Sequence, residues 1–349
     1  MGLGLPDDFD DAAGSGIKKY SYELFRNLSD RSINRVAEIT KLKTTIPTNV
    51  FGFVPSFMLQ NSLRYFGDFD IVHSLGQRPF IPLNRGKAKI IATAHDFLPL
   101  LDQSLVTLDV GPGLKNSLYG RLSQLGMSQI LGFDYISADS IQTRAEAIEL
   151  GFDPKKVFVI NIGLDAKYSK SIKKSKAEVA MFVVGYVGSF TGHKNVEFAI
   201  KAAKHVGRNV EFNLWGNCGK ERQRLTVLSG SNKRVKFMGF APDDKIVQIY
   251  DSFDAFVFPS LYEGFGLPIL EAQARGLPVI IYKNGRISGE VRKYCFEAED
   301  EAHMAQIIEN LRENGYNEKR RKMAMAYAGS FTWKKCAKET LKLYQRAMQ

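Results

Sequence analysis

The chain has 349 residues, of which 44% are hydrophobic and 24% charged, a composition that allows two domains with a core each and excludes wholesale disorder. No apolar run approaches the ~20 residues of a membrane-spanning helix. Four aspartates and no basic residue between Met1 and Asp11 are incompatible with a secretory signal peptide.

Cys218, Cys295 and Cys336 are odd in number and scattered, as expected of reduced thiols in a cytoplasmic protein and not of a disulfide framework or zinc site. The net charge of +11 is uneven: residues 1–167 hold 18 basic and 18 acidic residues, and the rest hold 30 and 19. A basic C-terminal half suits an anionic ligand or surface, although a solvated basic face gives the same count.

In chain order, Gly2–Pro6 is the only segment available for an opening strand, and it carries two glycines. Ile17, Tyr20, Leu24 and Leu28 follow with helical spacing. Short apolar runs at 71–72, 90–94, 135–138 and 157–160 predict strands. The stretch KYSKSIKKSK (167–176) is polar and basic, which places a linker at 167–177 between domains 1–166 and 178–330. Beyond it, apolar runs at 181–187, 210–215, 234–238, 254–258 and 278–282 are bounded by Gly, Pro or Asn and read as buried parallel strands. Helical patterns at 196–206 and 243–250 separate them, so the chain is read as α/β, with a doubly wound sheet in its C-terminal half.

In such sheets ligands bind beyond the carboxyl ends of the strands. The most informative loop is PSLYEGFGLP (259–268). Gly264 and Gly266 let backbone approach a ligand closely, and Pro268 stands where a helix begins. That helix, predicted over 268–275, stops at Gly276. Its free N–H groups, at Phe265 to Leu267, make an anion site. Glu263 precedes the helix and Glu271 lies about one turn inside it. A carboxylate accepts hydrogen bonds only, which suits the paired hydroxyls of a sugar or ribose; complementing the helix dipole is the plainer alternative for Glu271.

The segment VKFMGFAPDDKIVQIYDSFDAFVFPSLYEGFGLPILEAQARGLPV (235–279) closely resembles the donor half of retaining GT-B glycosyltransferases of family 4, most of all the mannosyltransferase-like group. GYVGSFTGHKN (185–195) is similar to the first strand and loop of that donor domain. NIGLD (161–165) resembles the entry to the linker, AHDFLP (94–99) the histidine-bearing loop of the acceptor domain, and FTWKK (331–335) the start of the last helix. The resemblance implies two facing Rossmann-like domains, with a helix at 331–349 crossing back onto the first. Its implied roles are ribose for Glu271, donor sugar for Glu263, and sugar hydroxyls and phosphate for the backbone of Gly264, Phe265, Gly266 and Leu267. Lys194 would neutralise the leaving diphosphate. Ser189 and His193 would join it at the donor, Gly239 and Phe240 would border the base, Gly16 (or Gly14) would approach the phosphates, and His95 would lie beside the donor sugar. His95, Lys194 and Glu263 are the catalytic candidates, with no catalytic metal and no cofactor.

Many members of the family carry an arginine where this chain has Ser189. Either His193 supplies part of that charge or the diphosphate is held more loosely. His73 reads as a core histidine and Asp96 as a structural partner of its loop. Phe240, Phe258 and Phe265 read as packing, and Trp215 and Trp333 as core. No G-x-G-x-x-G follows a strand, and neither a Walker sequence nor H-E-x-x-H occurs, so nicotinamide, P-loop and zinc-hydrolase readings lack their requirements. The expected function is hexose transfer (mannose or glucose type) from a nucleoside diphosphate sugar to a hydroxyl of a glycan or lipid-linked acceptor. A sugar-nucleotide epimerase and an inactive partner subunit are the alternatives, and no aromatic-interleaved basic stripe supports nucleic acid. Basic runs at 170–176 and 319–322, with an apolar helical pattern at 114–131, suggest peripheral docking on an anionic membrane.

Overall fold

The computed structural model describes residues 2–6, 16–30, 38–42, 64–65, 69–75, 82–84, 87–101, 132–169, 181–216 and 219–349. Gly14, Cys218, the pattern at 114–131 and the basic run at 170–176 lie outside them. The chain divides into two units. One holds the described residues up to Gly163 together with Trp333–Gln349, and the other is Leu164–Thr332.

In the first unit, β1 (Gly2–Pro6), β2 (Glu38–Leu42), β4 (Ile71–Ser74), β6 (Lys89–Ala94), β7 (Tyr135–Ala138) and β8 (Val157–Val159) form a six-stranded sheet, while β3 (Arg64–Tyr65) and β5 (Pro82–Asn84) pair separately. The sheet order is β2-β1-β4-β6-β7-β8, and every pair is parallel. The glycine-bearing Gly2–Pro6 is thus a true inner strand. Its helices are α1 (Gly16–Leu28), α2 (Leu98–Leu101) and α3 (Ile141–Glu149). On α1 the predicted stripe is buried: Tyr20, Leu24 and Leu28 are 1%, 0% and 0% exposed. Ser140 caps α3 by accepting from the Thr143 N–H at 3.0 Å, which satisfies one of the helix's orphan donors.

The second unit runs β9 (Phe182–Val187), α4 (Val196–Ala202), β10 (Val210–Trp215), α5 (Gly219–Ser229), β11 (Val235–Gly239), α6 (Ile246–Asp251), β12 (Ala255–Phe258), α7 (Leu267–Ala274), β13 (Val279–Tyr282), α8 (Gly289–Arg292), β14 (Phe296–Ala298), α9 (Glu301–Asn314) and α10 (Glu318–Gly329). Its strands are again all parallel, in the order β11-β10-β9-β12-β13-β14. The order reverses between β9 and β12, so the crevice beyond their carboxyl ends is the topological switch point where such sheets bind ligands. The core there is aromatic. Phe253, Phe256 and Phe258 stack in sequence, with ring centroids 6.4 and 6.0 Å apart, and Tyr186 extends the row at 6.2 Å. Gly185 on β9 makes room for it, since a Cβ there would lie 2.1 Å from the Phe253 ring.

The last helix, α11 (Trp333–Ala347), belongs to the first unit. It buries Trp333, Cys336, Ala337, Thr340, Leu341, Tyr344 and Ala347, a stripe at helical spacing. The Trp333 ring lies 5.8 Å from that of Tyr20 on α1. Trp333 is core as expected, but Trp215, at the open end of β10, is only half-buried. Cys295 and Cys336 are free and buried; burial pushes the Cys295 thiol up to about 12.

Candidate functional site

Two loops of the second unit meet at the switch point, one after β9 and one after β12. After β9, residues Gly192–Lys194 make a single 3-10 turn that ends on Asn195 in the left-handed conformation, φ 51° and ψ 41°. Among the described residues Asn195 alone of the non-glycines has positive φ, and Asn tolerates that region better than most residues. The two loops are tied together: the Asn195 side-chain amide donates to the Pro259 carbonyl at 3.2 Å, and the Leu261 N–H donates to the His193 carbonyl at 2.8 Å. A bridge between Tyr262 and Arg286, with the Glu263 N–H donating to the Arg286 carbonyl at 2.9 Å, fixes the second loop from the other side.

This bracing delivers Lys194 and Glu263 to each other. The Lys194 ammonium lies 2.7 and 2.9 Å from the two oxygens of the Glu263 carboxylate and 5.7 Å over the Phe258 ring. The side chains are 18% and 10% exposed, so the pair is shielded from most screening. Burial and the neighbouring Lys194 push His193 down to about 4, against the pull of Glu263. The Ser189 hydroxyl lies 3.1 Å from that of Thr191, and its carbonyl accepts from the Tyr186 hydroxyl at 2.7 Å.

Four residues after Glu263, α7 begins at Leu267 with Pro268 in its first turn and Gly266 as its N-cap, φ 99°. Gly264 and Phe265 are buried, and Phe265 packs edge-on against Phe331 with centroids 5.9 Å apart. Glu271 on α7 accepts from the Tyr250 hydroxyl at 2.8 Å and also from that of Tyr168. The residue types and helical spacing gave no sign of these tyrosines, which come from a 3-10 turn at Ala166–Ser169 and from α6. Gly239 ends β11 at φ 82°. The next residue, Phe240, is 69% exposed, so the packing expected for it is absent, whereas Phe258 and Phe265 are buried as expected.

Gly16 and His95 belong to the first unit. Gly16 is the first residue of α1. His95 follows β6, and both of its ring nitrogens are engaged: Nδ1 lies 2.5 Å from Asp139 Oδ2 and Nε2 lies 3.0 Å from the Leu75 carbonyl oxygen. Both partners are acceptors, so both nitrogens carry protons. Burial pulls His95 down, but the Asp139 carboxylate and the Leu75 carbonyl outweigh it and hold it above its ordinary value. In this structure both ring nitrogens of His95 are therefore taken by partners within the first unit. His73 is core as expected: it is 0% exposed, with Tyr344 Oη 2.7 Å from Nδ1 and Thr93 Oγ1 2.9 Å from Nε2. Asp96 accepts from the Leu98 N–H at 3.1 Å, within its loop.

The family model for group 1 glycosyl transferases matches residues 181–314, the region that carries Lys194, Glu263 and Glu271. That segment is therefore a group 1 glycosyl transferase domain. It is 26% identical over 337 residues to a D-inositol 3-phosphate glycosyltransferase of Nocardia farcinica, covering 88% of this chain and 73% of that protein. An O-antigen chain mannosyltransferase B of Escherichia coli is 28% identical over 170 residues, 46% of this chain and 45% of the other. The fold is GT-B, two Rossmann-like domains with parallel sheets. A glycosyltransferase from Rickettsia africae superposes with TM-score 0.71 at 16% identity, covering 100% of this chain and 98% of that one. Anabaena HepE in complex with UDP-glucose gives 0.65 at 16% identity, covering 99% and 100%.

Proposed function

We propose that this chain, with its group 1 glycosyl transferase domain, is a retaining hexosyltransferase. It moves a mannose- or glucose-type unit from a nucleoside diphosphate sugar to an acceptor hydroxyl in glycan or glycolipid assembly, without a catalytic metal. The observation that carries this reading is the shielded Lys194–Glu263 pair at the switch point, four residues before a helix N-terminus whose second turn bears Glu271. On donor binding the diphosphate takes Lys194, sugar hydroxyls take Glu263, and the ribose takes Glu271. Ser189, Gly239 and Phe240 line the rest of the donor. The sugar C1–O bond then breaks with its electron pair passing to the diphosphate, where Lys194 stabilises the developing charge. The acceptor oxygen bonds to C1 from the same face, and its proton goes to the departing phosphate oxygen.

The names of the relatives, an inositol phosphate glycosyltransferase and an O-antigen chain mannosyltransferase, support a polyhydroxylated ring as the acceptor. The basic run at 319–322 keeps a net positive charge for docking on an anionic membrane, since its four cations share one carboxylate, Glu318. There Arg321 and Lys322 both reach Glu318, and Arg320 donates to the carbonyls of Tyr294 and Cys295. Among the described residues no helix is long and apolar enough to cross a membrane. Turnover of GDP-, UDP- and ADP-hexoses in the presence of EDTA, with NMR of the anomeric configuration of the product, tests the proposal. Retention without added metal is expected. Inversion, or loss on chelation that magnesium or manganese restores, overturns it.

A further inference from the structure

Glu271 is the site residue most heavily supported by its surroundings. Tyr250 and Tyr168, both buried at 0% and 1% exposure, meet edge to face with centroids 5.8 Å apart, and both donate to the Glu271 carboxylate. Burial, reinforced by Glu271, raises both phenols, so they remain donors across the physiological range. Tyr168 is held at its other end as well: its carbonyl accepts from Arg275 Nη1 at 3.0 Å. Arg275 lies one turn beyond Glu271 and is clamped to Asp251 by two bonds of 2.7 and 2.8 Å. Beside Tyr168, Lys167 pairs with Asp243 at 2.8 Å. One face of the donor helix therefore grips one tyrosine at both its hydroxyl and its backbone.

We infer that Tyr168 and Tyr250 are positioning residues that fix the plane of the Glu271 carboxylate for a vicinal pair of hydroxyls, and so set the preference for a ribose over a 2′-deoxyribose donor. The inference presupposes that Glu271 accepts the ribose hydroxyls. A carboxylate offers about four acceptor positions, so two phenols can orient it without exhausting it. Free rotation about the Cγ–Cδ bond would scarcely affect a ligand with one hydroxyl, because the carboxylate can follow a single donor. Two hydroxyls on a rigid ring need both acceptor directions at once, and orientation fixed in advance favours that ligand.

The experiment is equilibrium binding of UDP, GDP and ADP, each against its 2′-deoxy counterpart, to the full chain and to the Tyr168→Phe, Tyr250→Phe and Glu271→Ala variants. Wild type is expected to prefer one ribonucleotide over its deoxy form by about tenfold or more, the value of one charge-assisted hydrogen bond. Each tyrosine variant should lower that ratio by at least ~3-fold, mainly by weakening the ribonucleotide, and Glu271→Ala should bring it near one. A merely structural tyrosine would weaken both ligands equally and leave the ratio intact. If Glu271→Ala abolishes the preference while both tyrosine variants keep it, the positioning role is overturned and the ribose assignment stands. If Glu271→Ala retains the preference, or no ribonucleotide binds, the ribose assignment falls and the positioning role with it. Should one tyrosine variant not fold, the other decides.

Discussion

Lys194 and Glu263 are 69 residues apart in the chain, yet the ammonium of one bonds both oxygens of the other. The loops that carry them are joined to each other by main-chain and side-chain bonds at His193, Asn195, Pro259 and Leu261. A shielded charge that loses its partner is costly, on the order of 3 kcal/mol. Lys194→Met is therefore expected to destabilise the protein by about that amount, and Lys194→Met with Glu263→Gln to recover most of it. Turnover should stay down by ~100-fold or more in both, because the diphosphate has lost its cation. Urea melts beside initial rates check this; recovery of activity in the double variant would refute the role of Lys194.

Glu271→Ala has two expected consequences. Donor use falls ~100-fold or more, as two charge-assisted bonds to the ribose are lost at roughly 1.5–3 kcal/mol each. Stability falls too, by about 1–3 kcal/mol, because the buried Tyr168 and Tyr250 hydroxyls lose their acceptor. Helix-dipole compensation alone predicts a loss of only roughly 0.3–1 kcal/mol. Denaturant titration distinguishes the two.

Gly185→Ala places a methyl group into the Phe253 ring. Overpacking of this kind costs about 1–3 kcal/mol. Adding Phe253→Leu should return part of it, because the smaller side chain vacates the contact. A single variant as stable as wild type would mean that β9 shifts freely, and the described packing would be wrong.

Buried His73 is lowered to about 3 by desolvation, with a further push from His95. Its folded value lies below the unfolded one, so the unfolded chain takes up a proton that the folded chain refuses. Stability is unaffected above about pH 6.5 and falls below it, by up to ~1.4 kcal/mol per pH unit. His95 acts in the opposite sense: its contribution is complete below its unfolded value and is lost as pH rises through its raised folded value. Urea melts between about pH 7 and pH 5 should show the fall in wild type and a flatter profile in His73→Gln. A flat wild-type profile contradicts the assignment.

The five predicted strands of the second unit match the observed ones to within a residue at each end, because strands buried on both faces are continuous apolar runs with sharp polar borders. Glu38–Leu42 and Phe296–Ala298 were missed. Both are edge strands, and such strands are short and partly polar. Glu263 and Glu271 could be singled out because the loop that carries them is local and rich in Gly and Pro, whereas Lys194 was named only by the family resemblance. The partners of the site residues could not be. Tyr250 reaches Glu271 across 21 residues and Asp139 reaches His95 across 44, and no periodicity encodes which buried hydroxyl or carboxylate will face which site residue.

The central claim is that Lys194 and its loop hold the diphosphate of a nucleotide sugar. Calorimetric titration of wild type and Lys194→Ala with GDP-, UDP- and ADP-hexoses tests it most directly. Saturable binding of at least one donor to wild type is predicted, weakened by ~10-fold or more in the variant, since an interaction with a charged phosphate is worth about 1.5–3 kcal/mol. Binding of the same donor to Lys194→Ala with wild-type affinity would contradict the account.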